Sequence, residues 1–327
     1  MAENLEVKEL EQVVVRFSGD SGDGMQLAGN IFSTVSATIG NGISTFPDYP
    51  ADIRAPQGSL TGVSGFQVHI GEGKVYTPGD KCDVLVAMNA AALKTQYKHA
   101  KPQATIIIDT DSFGPKDLEK AEFKTADYLA EMGIDEDRVV ACPISKMVKD
   151  CLADSGMDNK AIMKCRNMFA LGIVCWLFNR DVTLVENFLR EKFAKKPQIA
   201  ENNIKVVNAG FNYGHNTHAG VPATYRIESK NKVKGRYMDI TGNKATAYGL
   251  IAAAEKAGMK LFLGSYPITP ATDVLHELAK HKSLGVTTVQ CEDEISGCAS
   301  AVGASFAGAM AATSTSGPGV CLKSEAI

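Results

Sequence analysis

The chain has 327 residues, 45% of them hydrophobic and 22% charged, with a formal net charge of −3. That length suits about two domains, and the composition excludes a disordered chain, a collagen and a coiled coil. With no basic field to hold a polyphosphate backbone, nucleic acid is not an expected partner. The longest apolar run, MFALGIVCWLF from Met168 to Phe178, is too short to span a bilayer. The N-terminus MAENLEVKELEQ lacks the basic and apolar regions of a signal peptide. No membrane partner is expected, and the expected compartment is the cytoplasm. The 8 cysteines are scattered, with no CxxC. They read as reduced, buried thiols, and neither a metal nor an iron–sulfur cluster is expected on this chain.

In chain order, VVVRFSG (13–19) is β-branched and predicts a buried strand. The turn GDSGDG (19–24) follows, and then MQLAGNIFSTVSATIG has nearly helical apolar spacing, which together open a βαβ unit. GISTF (42–46) predicts a strand, and Pro47, Pro50 and Pro56 predict a loop over PDYPADIRAPQG (47–58). SGFQVHI and VYT suggest short paired strands. CDVLVAMN, ATIIIDT and RVVACPI are apolar runs of the parallel-strand kind. DNKAIMKCRNMFALGIVCWLF predicts the longest helix, and ENNIKVVNAGFNYGHNTH a last one. The expectation is an open α/β sheet in a domain over 1–215. Residues 216–242 read as a polar linker.

A second α/β pattern occupies 243–327. NKATAYGLIAAAEKAG predicts a helix closed by Gly258. MKLFLGS predicts a strand, YPITP a turn, ATDVLHELAKH a helix and VTTVQ a strand. EISGCASAVGASFAGA predicts a helix, AATSTS a strand and GPG a turn. With about three strands this pattern is short of a whole domain. The closing SEAI resembles a helix start, so the sequence is expected to be the N-terminal part of a longer protein.

Four features could carry chemistry. Three glycines in GDSGDG let backbone N–H groups face a crevice at a helix N-terminus, which suits an anion, whereas Asp20 and Asp23 oppose one; a packing turn is the equal alternative. Its glycine order matches neither a dinucleotide fingerprint nor, lacking a downstream Asn, a metal–diphosphate motif. Arg54, held among prolines, could offer a bidentate fork to a carboxylate or close an internal ion pair. GSYPITP (264–270) lies at a strand's carboxyl end, where open α/β sheets place ligands, and offers Tyr266 and Thr269. CEDEISGCASAVGASFAGA puts three acids before a helix of small residues. Acids there commonly complement the helix dipole, but the lack of bulk requires a backbone or a ligand close by.

Together, strand–YPITP, strand–EDE–small helix and strand–TSGPG resemble the α chain of the 2-oxoacid:ferredoxin oxidoreductases. FSGDSGDGMQLAGN and FPDYPADIRAPQGSLTGVSGFQVHI resemble the γ domain of that family, fused ahead of the α region as in its 2-oxoglutarate-oxidising members. The resemblance implies a Rossmann-like γ domain followed by the start of a pyrimidine-type, thiamine-diphosphate-binding α/β domain. It implies CoA-dependent oxidative decarboxylation of a 2-oxoacid, with electrons passing to ferredoxin. Glu294 falls at the position of the glutamate that hydrogen-bonds N1′ of the aminopyrimidine, with Glu292 and Asp293 flanking it. Pro267, Ile268 and Gly319 fall at cofactor-binding positions, and Thr269, Tyr266 and Arg54 become candidates to bind the 2-oxoacid. Mg2+, the diphosphate site and a [4Fe–4S] cluster are implied on a partner β subunit, so the working unit is expected to be an αβ pair. The resemblance favours 2-oxoglutarate. Pyruvate, branched-chain 2-oxoacids and indolepyruvate are the alternatives, and a nucleotide-binding regulator built on the first domain is the reading from another class.

Overall fold

The computed structural model describes residues 5–50, 55–230, 233–235, 237–238 and 240–327. The chain divides into two compact units, Met1–Lys234 and Gly235–Ile327.

The first unit opens with β1 (Glu6–Glu9), β2 (Gln12–Asp20), α1 (Met25–Ile39), β3 (Gly42–Asp48) and β4 (Val63–Gly71). It continues through β5 (Cys82–Ala87), α2 (Ala90–Gln96), β6 (Ala100–Asp109), α3 (Pro115–Lys120), α4 (Tyr128–Met132) and β7 (Val139–Cys142). Then come α5 (Ile144–Cys151), α6 (Asn159–Met163), α7 (Arg166–Leu177), α8 (Val182–Lys192), α9 (Pro197–Thr217) and β8 (Ala223–Arg226). A six-stranded sheet runs in the order β3-β4-β2-β5-β6-β7. Strands β2, β5, β6 and β7 are parallel, and β4 is antiparallel to both of its neighbours. Alternate residues of β2 feed two cores. Val13, Val15 and Phe17 pack with α1 and α7, while Val14 faces Leu85, Ala87 and the alanines of α2. Both faces are thus covered, which is why these strands read as continuous apolar runs. On the first face α7 and α9 approach backbone to backbone. A Cβ on Gly172 would lie 2.1 Å from the Val207 carbonyl oxygen, and one on Gly210 would lie 2.1 Å from that of Phe169. The cysteines are all free, and burial pushes the Cys82, Cys142 and Cys175 thiols up to about 12.

Four expectations are corrected here. VYT (75–77) is not a strand, because β2 and β3 already occupy both edges of β4. Side chains of β4 hold it instead: His69 Nδ1 lies 2.6 Å from the Thr77 carbonyl oxygen, and Gln67 Nε2 donates to the carbonyls of the next residues, Pro78 (2.8 Å) and Gly79 (2.5 Å). Pro47 does not end its strand, since β3 runs on to Asp48. An edge strand tolerates proline because one row of its N–H groups has no ladder partner. The long apolar helix is two helices, α6 and α7. Every residue of α7 is buried, so its pattern carries no periodicity to reveal the break. The longest helix is instead the 21-residue α9. Lastly, part of the supposed linker belongs to the first unit: β8 pairs in parallel with β1, Glu6 opposite Ala223, and Asn179 Nδ2 donates to Thr224 Oγ1 at 3.0 Å.

The second unit comprises α10 (Gly242–Ala257), β9 (Leu261–Ser265), α11 (Thr272–Leu278), β10 (Val286–Gln290), α12 (Glu294–Phe306), β11 (Met310–Ala312) and α13 (Gly319–Leu322). Its sheet is parallel, in the order β10-β9-β11. Gly258 ends α10 in the left-handed region, at φ 68. The small residues of α12 divide into two sets. Gly297 and Ala301 are buried against β9, and a Cβ on Gly264 would lie 2.5 Å from the Gly297 carbonyl oxygen. On the other side, Gly303 and Ala307 are exposed. Among the described residues, no helix is long and apolar enough to cross a membrane.

Candidate functional site

The carboxyl ends of β9, β10 and β11 gather the residues singled out from the second half of the sequence. Tyr266 follows β9 and is 4% exposed. Its hydroxyl lies 2.6 Å from Thr315 Oγ1, on the segment after β11. Burial, and the nearby Glu294 carboxylate, raise the phenol above its ordinary pKa. Glu294 opens α12 and is half-buried. The other two acids are placed differently. Asp293 is the N-cap of α12, its Oδ1 accepting from Ser296 N at 2.8 Å, and the Ser296 hydrogen bonds hold its carboxyl below the usual range. Glu292 is exposed. The expected dipole complement is therefore Asp293, and Glu294 is left facing the phenol.

Around this pair the turns are fastened. Ser265 Oγ lies 2.7 Å from Ser314 Oγ, and Cys291 N donates to Ser265 O at 2.7 Å. Ile268 N donates to Thr272 Oγ1 at 2.7 Å, and Ser316 Oγ donates to the Thr269 carbonyl at 2.7 Å. Thr269 and Pro267 are exposed, with a cis peptide bond between Thr269 and Pro270. Gly319 is buried where a Cβ would lie 1.7 Å from Thr315 Oγ1 and 3.0 Å from the Tyr266 hydroxyl. So Tyr266, Glu294 and Gly319 converge, with Ile268 and Thr269 on the adjoining turn. Arg54 lies outside the described residues. Sequence reasoning missed Thr315, which sat unremarked inside the TSTSGPG turn, and Lys323, whose ammonium lies over the Tyr266 ring, 6.0 Å from its centroid, where no local pattern announces it.

The Gly-rich turn of the first unit closes on itself. Asp23 Oδ1 accepts from Arg166 at 2.6 Å, and Asp109 Oδ2 accepts from Arg166 at 3.4 Å and from Ser145 Oγ at 2.6 Å. Asp20 accepts from Asn89 Nδ2 at 3.0 Å and from Gly58 N at 2.8 Å. Burial first, then Asp23, raise the Asp20 carboxyl above the usual aspartate value. Both aspartates are buried within this network, and the turn also lines a cavity with Lys160 and Lys164.

A half-buried carboxylate beside a phenol can exchange a proton with a ring nitrogen and so suits an aminopyrimidine. Among the described residues, no three His, Cys, Asp or Glu side chains are placed to hold a metal ion.

Known proteins resemble this chain along nearly its whole length. The family model for pyruvate ferredoxin/flavodoxin oxidoreductase matches residues 14–213. The model for the thiamine-diphosphate-binding region of pyruvate flavodoxin/ferredoxin oxidoreductase matches residues 252–327. The 2-oxoglutarate oxidoreductase subunit KorA of Mycobacterium tuberculosis is 46% identical over 98% of this chain and 49% of its own length. Subunit alpha of 2-oxoacid:ferredoxin oxidoreductase 2 of Aeropyrum pernix is 23% identical over 94% of this chain and 51% of its own. A solved structure of the 2-oxoglutarate:ferredoxin oxidoreductase of Magnetococcus marinus, with 2-oxoglutarate, coenzyme A and succinyl-CoA bound, superposes with a TM-score of 0.71 at 28% identity, covering 96% of this chain and 49% of that one. The chain thus spans about half the length of the curated relatives it matches. With a family match across most of the first unit and a second across the strand ends that carry Tyr266 and Glu294, this chain belongs to the pyruvate ferredoxin/flavodoxin oxidoreductase family.

Proposed function

We propose that this chain is part of a 2-oxoglutarate:ferredoxin oxidoreductase. The reaction takes 2-oxoglutarate, CoA and two oxidised ferredoxins to succinyl-CoA, CO2, a proton and two reduced ferredoxins. The carrying observation is the half-buried Glu294 facing the buried Tyr266 hydroxyl at the strand ends, within the segment matched by the thiamine-diphosphate-binding model. The 46% identity to a KorA subunit supports 2-oxoglutarate as the substrate.

In this reading the first unit is a γ-type domain and the second the start of the pyrimidine-binding domain. When bound, thiamine diphosphate supplies the electron sink that lets the 2-oxoacid lose its carboxylate. Glu294 hydrogen-bonds N1′ of the aminopyrimidine and holds or releases the proton there. Tyr266 orients that carboxylate and floors the 2-oxoacid pocket, and the exposed Thr269 hydroxyl offers a hydrogen bond to the substrate. Pro267 and Ile268 wall the cofactor, and Gly319 keeps the floor free of a side chain. Arg54 helps select a dicarboxylate substrate. A β subunit supplies Mg2+, the diphosphate site and a [4Fe–4S] cluster, and ferredoxin takes the electrons.

The test is acyl-CoA formation by the assembled enzyme on 2-oxoglutarate, pyruvate, 2-oxobutyrate, a branched-chain 2-oxoacid and indolepyruvate, with a viologen as acceptor. Succinyl-CoA from 2-oxoglutarate should dominate. A preference for another acid would overturn the substrate, and no acyl-CoA from any of them would overturn the class. Within the same panel, Arg54→Met should lower the use of 2-oxoglutarate more than that of pyruvate; equal losses would remove Arg54 from substrate selection.

A further inference from the structure

Lys323 follows α13 and is 3% exposed. Its ammonium donates to Thr313 Oγ1 at 3.1 Å and lies 6.0 Å from the centroid of the Tyr266 ring. Among the described residues it forms no ion pair. Lysine is almost never fully buried unless paired, because removing an ammonium from water is costly. An apolar side chain would fill the same space without that cost. Nor does the helix dipole account for it, since α13 has only four residues and a single turn aligns few peptide dipoles.

The surroundings show what the charge can reach. Thr313 and Thr315 lie on one strand-end segment, and Thr315 Oγ1 is 2.6 Å from the Tyr266 hydroxyl. A phenol has one proton. If Thr315 donates to the phenol oxygen, the phenolic O–H remains for the Glu294 carboxylate, whose proximity already raises the phenol. Helix α13 bears on this pair at two points. Gly319 at its start presses so closely that a Cβ would meet Thr315 Oγ1 and the Tyr266 hydroxyl. Lys323 at its end holds Thr313 and lies over the ring, at the outer range of a cation–π contact.

The geometry points to Lys323 as a positioning residue of the cofactor site: acting through Thr313 and the Tyr266 ring, it fixes the hydroxyl that meets Glu294, without itself touching cofactor or substrate. This rests on the reading that the second unit holds the aminopyrimidine of thiamine diphosphate.

A double-mutant cycle in the assembled enzyme tests it. Lys323→Met, Tyr266→Phe and the pair are compared for thiamine diphosphate affinity by calorimetric titration, for kcat and KM on 2-oxoglutarate, and for melting temperature. Lys323→Gln, which keeps a donor for Thr313 without the charge, runs beside the Met variant in case the latter disturbs folding. Lys323→Met should lower kcat about tenfold and weaken cofactor binding, with KM within about twofold, and adding it to Tyr266→Phe should cost little more, because residues in one network are not additive. Losses that multiply in the double variant at unchanged melting temperature would overturn the proposal. So would a Gln variant no better than Met in kcat and cofactor affinity, since it keeps the bond to Thr313. Wild-type enzyme that binds no thiamine diphosphate would defeat the parent reading and this one with it, whereas normal wild-type binding with multiplying losses defeats the positioning role alone.

Discussion

At the carboxyl ends of β2, β5 and β6 the first unit sets Asp20, Asp23, Asp109 and Arg166, and at the ends of β9, β10 and β11 the second sets Tyr266, Glu294, Thr315 and Lys323. In the first place the charges consume one another. Arg166 bridges Asp23 and Asp109, and Ser145 and Asn89 take up carboxylate oxygens that remain. In the second, Glu294 has a hydroxyl beside it and no ion pair among the described residues, with Thr269 and Pro267 exposed at its side. Both sit where open α/β sheets bind ligands. Position in the fold is therefore a weak guide, and what separates the two is whether the carboxylates are already paired: Asp23 and Asp109 share Arg166, whose Nε alone of the network keeps no partner among the described residues. A closed network specifies its own packing, while an open one has hydrogen-bonding capacity left for something else.

Four substitutions would break or sharpen this contrast. The largest expected effect is Glu294→Gln, which keeps the shape and deletes the charge. Turnover of the assembled enzyme should fall ~10²–10⁴-fold, the range of a lost acid–base group, with cofactor affinity falling less. Near-wild-type turnover would remove Glu294 from its role. Next is Arg166→Met. It strands Asp23 and Asp109 in the first unit, and breaking a buried pair from one side costs about 3–5 kcal/mol; urea unfolding would read the loss. A change below about 1 kcal/mol would show that water reaches this network. Third is Thr269→Val, which should weaken the use of 2-oxoglutarate by about 1.5–3 kcal/mol, the worth of a hydrogen bond to a charged group, with melting temperature unchanged. A substrate-bound structure with Thr269 beyond hydrogen-bond reach would remove it from the pocket.

The smallest effect concerns pH. The Asp20 carboxyl is raised above its ordinary 3.8 by burial, then by Asp23. A raised carboxyl contributes stability that is full below the unfolded value and is lost as pH rises through the folded one. Asp20→Asn should therefore be tolerated better at neutral pH than in acid, with a net change at neutral pH within about 1 kcal/mol. Stability curves of the two proteins that stay parallel across the acid range would show that Asp20 does not titrate on folding.

Much of this is legible in the sequence. The β-branched run 13–19, the YPITP turn and Glu294 before a small-residue helix all survive, because each is a local signal: strand propensity, proline geometry, a cap. What stayed hidden depends on distant partners. The break between α6 and α7 is invisible because α7 is buried on every side. The destination of the four-residue β8 is β1, more than two hundred positions earlier. Arg166 gives no sign in sequence that Asp23, 143 residues away, is its partner. Lys323 stands behind Tyr266 only once α13 has folded under the turn. Local chemistry singled out Glu294, and only packing could bring Tyr266, Thr315 and Lys323 together.

The proline inside β3 has a consequence for the molecule in a crowded solution. Strand β3 is the outermost strand on its side of the six-stranded sheet, and it exposes Phe46 beside Pro47. An outer strand with an aromatic tip is a template on which another chain can zip, copying the ladder outward. Pro47 has no N–H to offer such a visitor and interrupts the row of donors within one residue of the aromatic. Pro47→Thr would leave the fold nearly intact, yet should turn that border adhesive: light scattering on standing would rise while activity per folded molecule stayed the same.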